Sequence, residues 1–171
     1  NIEMIMMINL TLNIFILDKN PKKSVIQLCN KHNVKMILES TQMLCNCFDQ
    51  LEVPYKRTHY NHPCSIWVRE SLDNYNWLFK YTEALCQEYT YRYEKIHKCQ
   101  GVLYNLKTPN LKSIGLTKFK LAMPEQYKNS CVIDSYRKYY LNEKLHFCKW
   151  PKERIPEFII EYCQNNNISL T

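Results

Sequence analysis

The chain has 171 residues, a hydrophobic content of 46% and a formal charge of +7, so it fits one globular domain rather than a disordered chain. It contains only two glycines and neither GxGxxG nor GxxxxGK[ST], which argues against a Rossmann or P-loop nucleotide site. Scarce glycine also disfavours a β protein rich in tight turns and favours helices. The positive charge suits a nucleic acid or nucleotide partner, and it equally suits a plain basic surface.

The first predicted element is a β-strand over residues 8–18 (INLTLNIFILD), because the segment is β-branched and its apolar residues alternate. Residues 1–7 are expected to be a peripheral leader. The N-terminal stretch contains Glu3, has no basic start and lacks a small-residue cleavage site, which favours a strand over a signal peptide or membrane span. Asn20 as N-cap and Pro21 in the first turn then predict the start of a helix.

A helix is predicted over residues 21–48, and it is apolar on more than one side, which is typical of a helix inside the domain. Three polar residues, His32, Lys35 and Glu39, stand in one line on it, beside its apolar row. Buried polar groups are costly unless paired, so they require a reason. A structural His32–Glu39 hydrogen bond and a catalytic base with its orienting partner both remain open.

The stretch THYNHPCSIWVRES, residues 58–71, contains His59, His62, Trp67 and Arg69 within fourteen positions. It follows a loop over residues 49–62, and helix is predicted again after Pro63. The free N–H groups of a helix start attract phosphate or carboxylate, and the Arg69 guanidinium can bind phosphate through two hydrogen bonds. The plain alternative is a solvated helix start. We favour a site, because a helix start does not need so many polar groups.

The helix after Pro63 is predicted to break near residues 71–73 and to continue to about residue 98. Its last part, EYTYRYEKIHK, interleaves tyrosines with cations, a pattern suited to stacking on bases and neutralising phosphates. Tyr89 and Tyr93 are equally expected to be core residues one turn apart. We therefore predict only Arg92 and His97 as site residues here.

The rest of the chain completes a mainly α fold. Residues 100–130 are predicted to be irregular, 131–142 a helix, LHFCKWP a short strand or extended loop, and a last helix begins near Pro156. The predicted architecture is a single helical domain over residues 8–163 with one N-terminal β-strand, a second short strand being left open. Residues 164–171 are expected to be a peripheral tail.

Nine cysteines occur, an odd number with irregular spacing, which argues against a disulfide framework. We predict Cys29, Cys45, Cys86 and Cys163 to be small buried residues in a reducing compartment. HxxHxC at 59, 62 and 64, with HxC at 97 and 99, supplies possible zinc ligands. There is no CxxC pair and no HExxH, so the predicted site includes no metal, and no cofactor is identified.

Four blocks, NIFILDKNP, CNKHNVKMILESTQML, THYNHPCSIWVRES and EYTYRYEKIHK, resemble a family of small uncharacterised proteins that recur in tailed phages and large DNA viruses. The resemblance covers residues 13–150, more loosely through GLTKFKLAMPEQYKN and the KWP segment. It implies a viral protein in the cytoplasm of a host cell, and it implies no reaction. The family pattern has an acidic residue where this chain has Asn30, which weakens any role for a carboxylate there.

Two functions remain open. The first is an enzyme acting on nucleic acid or nucleotides, of glycosylase, nuclease or base-modifying type, in which Glu39 or His32 is the general acid or base and His59 or His62 the second proton-transfer group. The residues predicted to bind its substrate are Lys35, Trp67, Arg69, Arg92 and His97. The second is a non-catalytic protein that binds nucleic acid, or captures a host protein or nucleotide. No membrane partner is expected, and we favour the enzyme.

Overall fold

The structure is a computed structural model that describes residues 12–170, so the predicted leader and the first part of the predicted strand lie outside it. Within this range the chain is mainly helical, as predicted. The α-helices are α1 (Pro21–Ile26), α2 (Asn30–Cys45), α3 (Pro63–Glu70), α4 (Leu72–Tyr93), α5 (Cys99–Asn105), α6 (Val132–Tyr139) and α7 (Glu157–Asn165). A π-helical turn, Tyr140–Lys144, continues α6, and 3₁₀ turns occupy Gln50–Glu52, Glu125–Tyr127, Leu145–Phe147 and Lys152–Arg154. None of the helices in residues 12–170 combines the length and apolarity needed to cross a membrane.

Helix α4 is the centre of the packing. It contacts α1, α2, α3 and α5, and its residues Leu78, Tyr81 and Leu85 are fully buried. Burying an apolar side chain of this size contributes about 1.5–3 kcal/mol to the free energy of unfolding. The buried face of α4 therefore supplies a large part of the stability of the core. The other helices are therefore arranged around α4, and their polar residues lie where two of them meet.

The predicted break between α3 and α4 is confirmed. Ser71 has an extended backbone (φ −154°, ψ 157°), and its Oγ accepts a hydrogen bond from the N–H of Asn74 at 3.0 Å. The same hydroxyl donates to the carbonyl of Gly115 at 3.0 Å. Ser71 therefore caps α4 and attaches the irregular segment 106–124 to it.

The predicted N-terminal β-strand is wrong for the part of it that the structure describes. Residues 12–17 are buried but form no regular secondary structure, with a bend at Leu17, and residues 12–170 contain no β-strand. Side chains take the place of a partner strand: the carbonyl of Phe15 accepts from Ser24 Oγ and Tyr81 OH, both at 3.0 Å, and that of Leu17 from Arg137 at 3.2 Å. The alternating pattern reported a buried chain, which helices enclose instead of strands.

The helix predicted over 21–48 is two helices. The N-cap at Asn20 is confirmed, since its side chain accepts from the N–H of Lys23. The chain then leaves the helix at residues 27–29, where the Gln27 carbonyl accepts from Trp150 Nε1 at 2.9 Å and the Cys29 N–H donates to Tyr140 OH at 2.9 Å. Both partners lie more than a hundred residues away, so the local sequence did not indicate the break.

The remaining predictions have mixed outcomes. The last helix begins after Pro156, as predicted. Helix α5 (Cys99–Asn105) lies at the start of the range 100–130 predicted to be irregular, so that prediction is wrong there; Gly101 is helical, and a Cβ at this position would meet no atom within 4 Å. The second short strand left open in LHFCKWP is also absent: a 3₁₀ turn, Leu145–Phe147, is followed by extended chain. The single-domain boundaries stay a prediction.

Candidate active site

Glu39 is the carboxyl group with the most unusual surroundings. It lies on α2 with 17% of its side chain exposed, and Lys35 Nζ is 3.9 Å from its Oε1. The backbone N–H of Asn13 donates a hydrogen bond to its carboxyl group. Its other oxygen, Oε2, is buried and has no hydrogen-bond partner among the described residues. The group is therefore held from one side only.

Burial of Glu39 raises its pKa from 4.5 to about 7, against the opposing effects of the Lys35 charge and the Asn13 hydrogen bond. A carboxyl group with a pKa near neutrality is present in both protonation states at physiological pH. It can therefore donate a proton or accept one, as a general acid–base catalyst must.

Glu39 lies near the start of α3. Cys64 occupies the first turn of that helix, and burial raises the pKa of its thiol to about 12, with the Glu39 charge as a further contribution. The thiol also interacts with the backbone of Ile14, next to Asn13. The structure thus brings together Glu39, segment 12–17 and the helix start that the sequence singled out.

His32 does not pair with Glu39. Its Nδ1 shares a hydrogen bond with Tyr140 OH at 2.8 Å, and its ring stacks on Phe15 with centroids 4.4 Å apart. The two residues stand seven positions apart on α2, about 10 Å along the helix axis. The structure therefore separates the predicted acid–base pair into a Glu39 region and a His32 region.

The two histidines before α3 have different surroundings. His59 is exposed and has a left-handed backbone (φ 48°). His62 is buried and is the N-cap of α3, since its Nδ1 accepts from the N–H of Cys64 at 3.1 Å. One of the free N–H groups at this helix start, at which we predicted a ligand, is thus already hydrogen-bonded to a side chain of the protein.

Arg69 belongs to a cationic cluster that sequence reasoning missed. Its guanidinium lies 3.6 Å from the centre of the Tyr60 ring, and that of Arg57 lies 4.3 Å from the same ring. Arg69 also donates to the carbonyl of Ser65 at 3.1 Å. Among the described residues neither guanidinium forms a salt bridge. The sequence feature that could have predicted this cluster is Arg57 three residues before Tyr60, followed by Arg69 in α3.

Three predicted substrate-binding residues serve the fold in this structure. Trp67 is 1% exposed, and its ring packs against Trp77 and Phe119. His97 accepts from the N–H of Cys99 through Nδ1, and burial lowers its pKa.

Arg92 is the third of these residues, and its side chain is 1% exposed. It donates to Glu88, to Asn30 Oδ1, and to the carbonyls of Ile26 and Leu28, at 2.8–3.1 Å. Every one of these acceptors belongs to the protein, so Arg92 joins the end of α4 to the junction between α1 and α2.

No metal site is formed by the described residues: nowhere in 12–170 do three or more His, Cys, Asp or Glu side chains come close enough to hold an ion. The nine cysteines are free, and Cys29, Cys45, Cys86 and Cys163 are buried, as predicted. The candidate site therefore consists of Glu39 with its neighbours Asn13, Lys35 and the start of α3.

Comparison with known proteins adds a family. A family model described as pyrimidine dimer DNA glycosylase matches residues 12–101, more than half of the chain. The matched range contains Asn13, Glu39 and the stretch 58–71. A search of curated proteins found no match, and neither did a search of solved structures.

Proposed function

Since the chain belongs to the pyrimidine dimer DNA glycosylase family, we propose that it is an acid–base enzyme that cleaves the N-glycosidic bond of damaged pyrimidines in DNA, with Glu39 as its catalytic carboxyl group. The family makes the chain a DNA-acting protein of glycosylase type, with nucleic acid as its partner. One observation carries the assignment of Glu39: burial raises its pKa to about 7. Glu39 lies within the residues that the family model matches, and it lies beside the start of α3.

The chemistry of the bond explains why such a group is useful. When the bond between C1′ of deoxyribose and the base nitrogen breaks, positive charge develops on the sugar and negative charge on the departing base. A protonated Glu39 would donate its proton to the base. An ionised Glu39 would stabilise the sugar cation or take a proton from the water that adds to C1′. With a pKa near the working pH, one group can serve in either state.

Exposed cations near the site support DNA binding. Lys35 lies beside Glu39, and Arg69 lies five residues after Cys64 on α3, about 7–8 Å along the helix axis. Segment 106–124 adds four exposed lysines and no acidic residue. It passes the site, because the carbonyl of Ala122 accepts from Asn13 Nδ2 at 2.7 Å. We propose that these groups neutralise phosphates, the four lysines being Lys107, Lys112, Lys118 and Lys120.

We retain His59 as the candidate for a second proton-transfer group, because it is exposed in the loop that leads to α3. His62 and His32 are placed second and third, since each uses its Nδ1 within the protein. His59→Gln should then lower the reaction rate, and by less than a change at Glu39.

The test compares Glu39→Gln with wild type on a duplex that carries one pyrimidine dimer, and on undamaged and uracil-containing duplexes of the same sequence. We expect the single-turnover rate to fall by about 10²–10⁴-fold while the dissociation constant at fixed salt changes little. Glu125→Gln is the matched control, because the Glu125 side chain is 88% exposed and its ion-pair partner within residues 12–170 is Lys128 alone, next to the 3₁₀ turn Glu125–Tyr127. A rate unchanged by Glu39→Gln would exclude Glu39 from catalysis.

The same experiment distinguishes the proposed enzyme from a protein that binds nucleic acid without catalysis. A protein that only binds DNA would show salt-dependent affinity for these duplexes without releasing a base from any of them. Wild-type protein that binds the dimer duplex and leaves it intact would therefore contradict the proposed reaction.

We also propose that the protein acts inside an infected host cell, in a reducing compartment. The resemblance of its central blocks to phage and viral proteins supports the viral setting, and nine free cysteines support the reducing compartment. A DNA substrate fits both. Detection of the protein among host or viral DNA fractions of infected cells would test the setting.

A further inference from the structure

Cys29 and Cys148 meet outside the proposed active site. Cys29 lies at the junction of α1 and α2, and Cys148 follows the 3₁₀ turn Leu145–Phe147. Both residues have extended backbones, with φ and ψ of −68° and 163° at Cys29 and −74° and 133° at Cys148. The N–H of Asn30 donates to the carbonyl of Lys149 at 2.8 Å, so the two chain segments lie side by side.

The contact between the two thiols suits a disulfide. Cys29 and Cys148 already interact through a side-chain hydrogen bond, so their sulfurs face each other across the two segments. A disulfide needs Cα atoms that lie about 4.4–6.8 Å apart, which neighbouring segments provide. In this structure both cysteines are free.

The surroundings favour a thiolate on Cys29. Its backbone N–H donates to Tyr140 OH at 2.9 Å, and the same hydroxyl shares a hydrogen bond with His32 at 2.8 Å. The hydrogen bond from Cys148 lowers the pKa of the Cys29 thiol, against the opposing effect of burial and with further help from His32. The pKa of Cys148 is raised by the same interaction. The two sulfurs therefore share one proton, and the thiolate is the reactive form of cysteine.

An oxidant can reach the pair from one side. Cys29 is fully buried, whereas Cys148 is half-buried and lines a cavity of about 490 Å³ that is open to solvent. His146, Lys149 and Tyr162 also line this cavity. It thus gives a small polar molecule a route to the Cys148 sulfur, while Cys29 stays shielded from solvent.

We propose that Cys29 and Cys148 are a site of reversible thiol oxidation, at which a hydroperoxide converts the pair into a disulfide. The Cys148 sulfur, which faces the cavity, passes the shared proton to Cys29 and attacks one peroxide oxygen, and the O–O bond breaks. The leaving hydroxide takes that proton from Cys29 and becomes water. The Cys29 thiolate then attacks the sulfenic acid on Cys148, the S–S bond forms, and the S–O bond breaks with loss of a hydroxide that takes a proton from solvent. The pair loses two electrons and its one shared proton, solvent supplies the second proton, and hydrogen peroxide is reduced to two waters.

The disulfide would join the α1–α2 junction covalently to the chain that follows the π-helical turn. It would also remove the Cys29 thiolate from His32, whose other partner is Tyr140. The proposal is independent of glycosylase activity, so its test does not require a DNA substrate.

The test treats reduced full-length protein with hydrogen peroxide, alkylates the remaining thiols at timed points, and identifies linked peptides by mass spectrometry without reduction. We expect the Cys29–Cys148 peptide pair to form first, on the order of tenfold faster than oxidation of the exposed Cys131, and to disappear with dithiothreitol. Cys86→Ser, a change at another buried cysteine, should leave this rate unchanged, whereas His32→Gln should slow it.

If Cys131 is oxidised while Cys29 and Cys148 still react with the alkylating agent after unfolding, the proposal is wrong. The same conclusion holds if either cysteine links mainly to a third one. Because the decisive comparison uses wild-type protein, it does not depend on whether Cys148→Ser folds. Where that variant does fold, it should form no internal disulfide at Cys29.

Discussion

The raised pKa of Glu39 predicts that the proposed catalytic group destabilises the fold at neutral and alkaline pH. In the folded protein burial raises this pKa from 4.5 to about 7, whereas in the unfolded chain the side chain is exposed to water. The folded state therefore holds the proton more tightly than the unfolded state. Stability that depends on the protonated group is fully present below the lower pKa and is lost as the pH rises through the window between the two values.

The size of the effect follows from the same values. One pKa unit corresponds to about 1.4 kcal/mol, so the whole difference corresponds to about 3 kcal/mol of unfolding free energy lost between about pH 4.5 and pH 7. Replacement by glutamine removes the titration. The variant should also lose about 1–3 kcal/mol of unfolding free energy, because its amide is buried where Oε2 has no described hydrogen-bond partner. This loss is the same at every pH, so it cancels when the stability difference between the two proteins is compared at two pH values.

The assay is urea unfolding of wild type and Glu39→Gln at several pH values from 4.5 to 8. We expect the difference between the two proteins to move by about 3 kcal/mol in favour of the variant across this range. Glu125→Gln should follow the wild-type pH dependence, because its side chain is 88% exposed. Parallel pH profiles for wild type and Glu39→Gln would show that Glu39 titrates normally, and they would remove the main support for its catalytic role.

Three further predictions follow from the other site residues. Arg92→Gln leaves Glu88 without its buried partner, so it should lower the free energy of unfolding by about 3–5 kcal/mol, measured by urea titration. The loss should exceed that of Arg154→Gln, which removes the more exposed partner of Glu88. Equal losses would contradict the structural role of Arg92. Arg69→Gln should weaken binding to all duplexes and lower the slope of log affinity against log salt by about 1, measured by fluorescence anisotropy, and an unchanged slope would argue against a phosphate contact. His62→Ala removes the cap of α3 and should lower the unfolding free energy by about 0.5–2 kcal/mol, with part of the loss restored by His62→Asn.

The helical part of the fold was largely predictable because its signals are local. Asn20 and Pro21 mark a helix start, Ser71 marks a break, and Pro156 marks the last helix, and each of these acts on backbone groups within one turn. Glu39 was predictable for a similar reason. A carboxylate beside an apolar row of its own helix must be partly buried, whatever the rest of the chain does.

The partners of the site residues were not predictable, because they come from distant parts of the chain. His32 binds Tyr140, 108 residues away, instead of the nearby Glu39. Segment 12–17 was predicted as a strand because alternation reports burial, whereas its hydrogen-bond acceptors are taken by side chains of α1, α4 and α6. Arg92 was predicted as a substrate-binding residue from its type and spacing, and the four protein acceptors of its guanidinium could not be predicted from the sequence.

Asn13 connects the part of the chain that the family model matches to the part beyond it. Its backbone contacts Glu39, its Nδ2 donates to Ala122 at 2.7 Å, and its Oδ1 accepts from Tyr136 at 2.9 Å. The family match ends at residue 101, so two of the partners of the Asn13 side chain, Ala122 and Tyr136, lie beyond it, while the third is the adjacent N–H of Ile14. A fragment restricted to the matched range would contain the proposed catalytic carboxyl group and lack the groups that fix its neighbour. The residues beyond the matched range therefore help to hold the backbone that donates to Glu39, although they carry none of the proposed catalytic groups.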